Sequence, residues 1–123
     1  GGENVAAAEI EGFLCEHPAA GIVQVVGAPD ARYGEVACAF VQLRPGATAT
    51  ERELIEFCLG EVAGFKVPRY VRFVDEWPMS GTKVQKFRLR ARIVEELAAA
   101  GITEAPRPGE PAAADRTGRP PSA

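Results

Sequence analysis

The sequence has few of the residues from which metal and nucleophilic centres are built. It contains one histidine, His17, and three cysteines, Cys15, Cys38 and Cys58, widely spaced and without a Cys-x-x-Cys pair. That set does not make the four-ligand cluster of a zinc site, so no metal is expected on this chain. Aromatic residues are 7% of the total. No run of them suggests the stacking platform of a single-strand binder, and nucleic acid is not an expected partner. Phosphate-loop, dinucleotide-fold and nucleophile-elbow signatures are all missing. So are a signal peptide and a transmembrane run. An odd number of cysteines, each among apolar neighbours, reads as buried free thiols in a reducing compartment, and the cytoplasm is the expected location.

The 123 residues are the size of one domain, too short for a whole enzyme. The chain starts at Gly1 rather than Met, which fits a fragment, a piece cut from something larger or a truncated gene product. Apolar residues make up 46% and charged residues 25%, close to globular averages. From Ala98 onward the composition turns to Pro, Ala and Gly, with Ile102 as the one large apolar residue. Such a stretch cannot bury enough surface to offset its ordering entropy. The expected organisation is a domain over 1–97 and a disordered tail over 98–123.

The net charge of −3 is unevenly distributed. Lys66, Arg69, Arg72, Lys83, Lys86, Arg88, Arg90 and Arg92 lie in one window with only Asp75 and Glu76 against them. A cationic segment on an acidic chain points to a local anion site.

Apolar spacing predicts a helix from Ala6 to His17, stopped by Pro18, with His17 as its C-terminal cap. Gly21–Gly27 is a β-branched strand, Ala28–Gly34 a turn, and Val36–Leu43 a second, central strand. Thr50 and Glu53 form a capping box ahead of a helix with Leu54, Ile55, Cys58 and Leu59 inward. Gly64–Pro68 is a loop, Arg69–Val74 a third strand, and Trp77–Thr82 a flexible loop. A last helix runs from about Phe87 to Ala98. The mixed order lacks strict βαβ alternation and predicts an α+β fold, a small three-stranded sheet covered by helices.

Within this frame the pattern Pro78-Met-Ser-Gly-Thr-Lys83-Val-Gln-Lys-Phe-Arg-Leu-Arg90 stands out. It holds a lysine on a loop just before a helix. A lysine so placed can enter another domain's site and neutralise charge developing on a phosphate or carboxylate. Taken alone, the pattern reads first as a solvated basic hairpin and helix start. The adjacent acids Asp75-Glu76 and Glu95-Glu96 read as solvated pairs.

Four stretches in order, GGENVAAAEIEGFL, VVGAPDARYGEVACAFVQLRPG, GFKVPRYVRFVDEWP and MSGTKVQKFRLR, give the chain its resemblance to the C-terminal domain of adenylate-forming enzymes. These are the acyl-CoA synthetase, adenylation-domain and luciferase superfamily. The last stretch is most similar to fatty-acyl-CoA ligases. The resemblance implies a mobile lid for a larger N-terminal adenylation domain that holds ATP, Mg²⁺ and the acyl pocket. It implies an acid–thiol ligase that joins a carboxylate to ATP as an acyl-adenylate and then transfers the acyl group to coenzyme A. The lid alone is expected to be inactive, with ATP or AMP and coenzyme A as substrates and none of them held tightly.

By the same resemblance, Lys83 matches the lysine that reaches the carboxylate and phosphate oxygens during adenylation. Gly2 matches a glycine where backbone passes close to the pantetheine arm, with Asn4 beside it. Phe65, Lys66 and Arg69 match a loop that in some relatives meets the nucleotide end of coenzyme A. The family's usual Thr-Gly-Lys is here Gly81-Thr82-Lys83, and the interval from Pro78 is one residue shorter. That departure re-aims Lys83 or brings Lys86 into play. Two other expectations stay open: a non-catalytic remnant or binding module of the same fold, and the lid of a domain that loads a carrier protein.

Overall fold

The computed structural model describes residues 6–59 and 67–106. The elements are α1 (Ala7–Leu14), β1 (Ala20–Asp30), β2 (Gly34–Leu43), α2 (Glu51–Cys58), β3 (Tyr70–Phe73), β4 (Met79–Ser80), β5 (Lys83–Val84) and α3 (Lys86–Ala100). β1, β2 and β3 form one sheet in that order, and β4 and β5 pair separately. β1 runs antiparallel to β2, and β3 runs parallel to it after the α2 crossover.

β2 is central and apolar along its middle because both of its faces are covered. Ala37, Ala39 and Val41 point into a core with Ile10, Leu14, Leu54, Cys58, Val67 and Val71, under α1 and α2. Val36, Cys38 and Phe40 point the other way, against Tyr70, Leu89, Ile93 and Leu97 of β3 and α3. Tyr70 and Val71 are therefore both buried, one on each face. The α+β class and the three-stranded sheet agree with the sequence reading.

The Thr50–Glu53 capping box is present. Thr50 Oγ1 accepts from the Glu53 N–H at 3.0 Å, and Glu53 Oε1 accepts from the Thr50 N–H at 3.2 Å. His17, expected to cap α1, acts instead on the following turn. Its Nδ1 accepts from the Ala19 N–H at 3.0 Å, and its ring stands edge-on to Phe57.

Other expectations are corrected. β1 does not stop at Gly27 but runs through Pro29 to Asp30. Proline lacks an N–H, yet an edge strand has an unpaired side on which that loss is tolerated. The turn shrinks to Ala31–Tyr33, shaped by Asp30 Oδ2, which accepts from the Arg32 and Tyr33 N–H groups at 2.9 and 2.8 Å. Gly34 follows at φ +81°, a left-handed position that suits glycine. Cys15 is exposed, while Cys38 and Cys58 are buried as expected.

The assignment of the C-terminal stretch also changes for residues 98–106. α3 continues to Ala100, and Gly101 closes it at φ +71°. The Ile102 N–H reaches the Leu97 carbonyl at 2.9 Å and the Gly101 N–H the Ala98 carbonyl at 3.2 Å, the bond pair of a Schellman cap. The chain then lies back on the β1–β2 turn. The Ala31 N–H donates to the Thr103 carbonyl at 2.7 Å, Arg32 pairs with Glu104 at 2.9 Å, and the Ala105 N–H donates to Asp30 Oδ1 at 2.6 Å. Three polar anchors substitute for the missing apolar bulk. Residues 107–123 lie outside the described part.

Both outer edges of the sheet are closed by the same device. Val25, Ala39 and Val71 form one row across β1, β2 and β3. At one end the Val25 N–H donates to Glu11 Oε2 at 2.8 Å, and Lys86 Nζ donates to the Val25 carbonyl at 3.1 Å. At the other end the Val71 N–H donates to Glu51 Oε2 at 3.0 Å, and Arg72 Nη1 donates to the Val71 carbonyl at 2.9 Å. In each case acid and base also pair with one another, at 2.6 Å for Glu11–Lys86 and 2.9 Å for Glu51–Arg72. An acid–base pair thus completes the hydrogen bonds that a further strand would otherwise supply.

Candidate functional site

The loop expected between Trp77 and Thr82 is largely a small hairpin. Met79 pairs with Val84 and Ser80 with Lys83, leaving Gly81-Thr82 as a two-residue turn. Gly81 has φ +61°, and no non-glycine residue has positive φ among the described residues. Positive φ at the first central position only is the sign pattern of a type II′ turn, which takes glycine there. The order Gly-Thr ahead of Lys83 is therefore what this tight turn demands.

The hairpin is fixed to the domain at three points. At its entry, Trp77 Nε1 donates to Gln42 Oε1 at 2.7 Å. At its neck, the Gln85 N–H donates to the Pro78 carbonyl at 2.8 Å. At its exit, Lys86 is held by Glu11 and by the Val25 carbonyl. Val84 and Trp77 also pack on the α3-side core.

Lys83 stands on the second strand of this hairpin and is exposed. Among the described residues it has no ion-pair partner. Lys86, the other lysine of the pattern, is bound to the sheet edge through Glu11 and the Val25 carbonyl. Among the described residues the hairpin thus presents one unpaired ammonium and pairs the next. Beside it Met79 and Phe87 are exposed, Phe87 by 68%.

Arg69 lies apart from this hairpin, at the start of β3. Its N–H donates to the Ala37 carbonyl at 2.9 Å, and its guanidinium covers the Tyr33 ring at 5.2 Å. Arg32 lies over the same ring at 5.5 Å. These cations, Arg32 before Arg69, hold the Tyr33 phenol below its ordinary value against a smaller desolvation effect. Arg69 Nε and Nη1, Glu35 Oε1 and the Tyr70 hydroxyl are buried without a hydrogen-bond partner. Burial pushes the Tyr70 phenol up to about 12. Buried donors without a partner are uncommon, and here two belong to one arginine.

Of the other residues singled out in the sequence, Gly2, Asn4, Phe65 and Lys66 lie outside the described residues. The residue that sequence reasoning missed is Glu11. Its place is set by the meeting of α1, β1 and α3, 75 positions apart in sequence for the Glu11–Lys86 contact, and no local motif signals it. Among the described residues no group of three His, Cys, Asp or Glu side chains is placed to hold a metal ion.

The model of the AMP-binding enzyme C-terminal domain matches residues 9–86, which include both sheet-edge pairs and the whole Lys83 hairpin. The chain belongs to this family. It is similar to ligases of the acyl-CoA synthetase type. The medium-chain acyl-CoA ligase ACSF2 of Rattus norvegicus, described as mitochondrial, is 45% identical over 98 residues, 79% of this chain and 16% of that protein. ATP-bound MatB from Rhodopseudomonas palustris superposes with a TM-score of 0.70 at 34% identity, over 75% of this chain and 18% of MatB. The Mycobacterium tuberculosis fatty acyl CoA synthetase gives 0.68 at 32% identity, over 75% of this chain and 18% of that one. The chain thus spans less than a fifth of the length of these relatives.

Proposed function

We propose that this domain is the mobile lid of an ATP-dependent acyl-CoA synthetase and that Lys83 serves the adenylation half-reaction. The observation that carries this reading is the hairpin, in which Lys83 is exposed and has no ion-pair partner among the described residues while Lys86 is paired with Glu11. In this reading an N-terminal adenylation domain brings ATP and a carboxylate, with Mg²⁺ on that domain and not on this one. When the lid closes, the Lys83 ammonium meets the carboxylate and α-phosphate oxygens. It stabilises charge that is greatest in the transition state, which raises the rate more than it tightens ground-state binding. The carboxylate oxygen bonds to the α-phosphorus and pyrophosphate leaves. In the second step a thiol, that of coenzyme A, displaces AMP.

Arg69 is proposed to meet the phosphates at the nucleotide end of coenzyme A, supported by its two buried, unpartnered nitrogens. Phe65 and Lys66 beside it, and Gly2 with Asn4 along the pantetheine arm, belong to the same proposal on the family resemblance alone. The substrate class is a fatty or other aliphatic acid. Two buried thiols fit a reducing compartment such as the cytoplasm. No helix among the described residues is long and apolar enough to cross a membrane.

The test is pyrophosphate exchange by the domain joined to its N-terminal partner, with Lys83→Ala beside wild type. The expected loss is roughly 10²–10³ in rate, the usual cost of one such charge contact. Thioester formation from preformed acyl-adenylate is expected to survive. Equal exchange in variant and wild type would remove Lys83 from the role.

A further inference from the structure

We infer that Glu11 and Lys86 are positioning residues for Lys83, a clamp that makes the lysine hairpin one rigid piece with the sheet. The inference deepens the proposed function and rests on it only for its catalytic consequence. The clamp joins three elements. Glu11 comes from α1, the Val25 backbone from β1, and Lys86 from the first turn of α3.

Lys86 sits three residues beyond Lys83, so a fixed Lys86 fixes the exit of the hairpin. The intervening Gln85 also closes the neck through Pro78, and Val84 rests on the core. α3 has no side-chain cap at Gln85 and no acidic residue in its first turn. The usual means of anchoring a helix start are thus missing there, and Lys86 supplies the attachment instead. The Glu11 carboxylate takes both the Val25 N–H and the Lys86 ammonium, at 2.8 and 2.6 Å. Charge-assisted bonds in a part-buried setting hold geometry better than an exposed ion pair, and three share these few atoms.

The consequence concerns how the lysine would be delivered. A flexible loop must lose entropy each time it enters a site, whereas a prepositioned arm has already lost it. With the clamp closed, rotation of the lid carries Lys83 at a fixed offset from β1. The order Gly81-Thr82 belongs to the same arrangement, since a tight II′ turn keeps the arm short and straight.

The experiment is backbone ¹⁵N relaxation on the full 123-residue chain. The variants are Lys86→Met, Glu11→Gln, Lys86→Arg and, as a control, Glu51→Gln. Lys86→Met and Glu11→Gln are expected to lower the order parameters of Gly81, Thr82 and Lys83 from about 0.85 to 0.6 or below. The amides of β2 should keep their values, and Lys86→Arg should restore the hairpin. Glu51→Gln weakens the matching pair on the opposite edge and should leave the hairpin rigid. Unchanged hairpin order in Lys86→Met and Glu11→Gln overturns the inference. So does equal loosening of β2, or loosening by Glu51→Gln, or loss of the fold in both clamp variants, since each would make the pair general support only. Joined to the N-terminal domain, Lys86→Met should lower kcat for pyrophosphate exchange about 10- to 100-fold, with a smaller change in KM. A loosened hairpin with unchanged exchange would leave the clamp standing and count against the role given to Lys83.

Discussion

The Glu51 carboxylate accepts the Val71 main-chain N–H at 3.0 Å, while also pairing with Arg72 at 2.9 Å. Arg72 in turn reaches Glu96 of α3 at 2.6 Å, so one acid on α2 links β3 to the helix on the far face of the sheet. Burial alone would depress the Arg72 guanidinium, but Glu96 and Glu51 overcome it and hold its pKa above the ordinary value. Glu51→Ala leaves both the Val71 N–H and Arg72 short of an acceptor. The expected loss is about 1–3 kcal/mol of stability, the usual cost of an unsatisfied part-buried group. Glu56, paired with Arg52 on the exposed side of the same helix, is the contrast. Glu56→Ala should cost about 0.5 kcal/mol or less. Urea denaturation of the two variants measures the difference, and equal losses would show that the edge contact adds nothing beyond a surface pair.

Much of this architecture was legible because its causes are local. The Thr50–Glu53 box needs residues three apart, and the apolar run of β2 reports burial on both faces. What was not legible depends on neighbours distant in sequence. Pro29 reads as a turn residue unless β1 is known to be an edge. Residues 101–106 read as unstructured because their anchors, Asp30 and Arg32, lie more than seventy positions earlier. Cys15 has apolar neighbours in sequence, yet its place at the end of α1 turns it outward. At the candidate site, Lys83 was visible from its loop and the family pattern. The hairpin that carries it, and the Glu11–Lys86 clamp behind it, required the fold.

Gly81 offers a clean test of the hairpin turn. A Cβ added there would meet nothing within 4 Å, so any penalty comes from its φ of +61° and not from crowding. Left-handed backbone costs an ordinary L-residue about 1–2 kcal/mol, and less for asparagine. Gly81→Val should therefore disorder Ser80–Lys83, and Gly81→Asn should largely preserve it. Amide chemical shifts of Thr82 and Lys83 report the change. Matching spectra for the two variants would rule out the II′ turn.

Asp30 predicts how the docked C-terminal segment responds to acid. Burial acts to raise its carboxyl, but N–H donors from Ala105, Tyr33 and Arg32 together prevail, and the folded pKa lies below the ordinary value. A depressed carboxylate adds stability that is complete above the unfolded pKa near 3.9 and disappears as pH falls through the folded pKa. Asp30→Asn should cost about 1–3 kcal/mol at pH 7, because an amide cannot accept on both sides. That difference from wild type should shrink as the pH drops through 3.9 and below. Truncation after Gly101 should remove part of the same pH dependence, since it deletes the Ala105 donor. Urea melts at pH 7, 5 and 3 measure this. A gap between Asp30→Asn and wild type that stays constant with pH would show that the carboxylate charge plays no part.

The three thiols should separate by reactivity. Burial pushes Cys38 up to about 12 and Cys58 up to about 11, and both are enclosed in the core on opposite faces of the sheet. The thiolate is the reacting form, so at pH 8 these two are both neutral and out of reach. Cys15 is exposed. With an aromatic disulfide reagent at pH 8, one equivalent of thiol per chain should react promptly and the other two only at the rate of unfolding. Cys15→Ser should remove the fast phase entirely. Adding denaturant should speed the slow phase in step with the loss of helical circular dichroism. A second fast equivalent in the native chain would mean that α2 or α3 opens on its own, leaving the rest of the sheet folded.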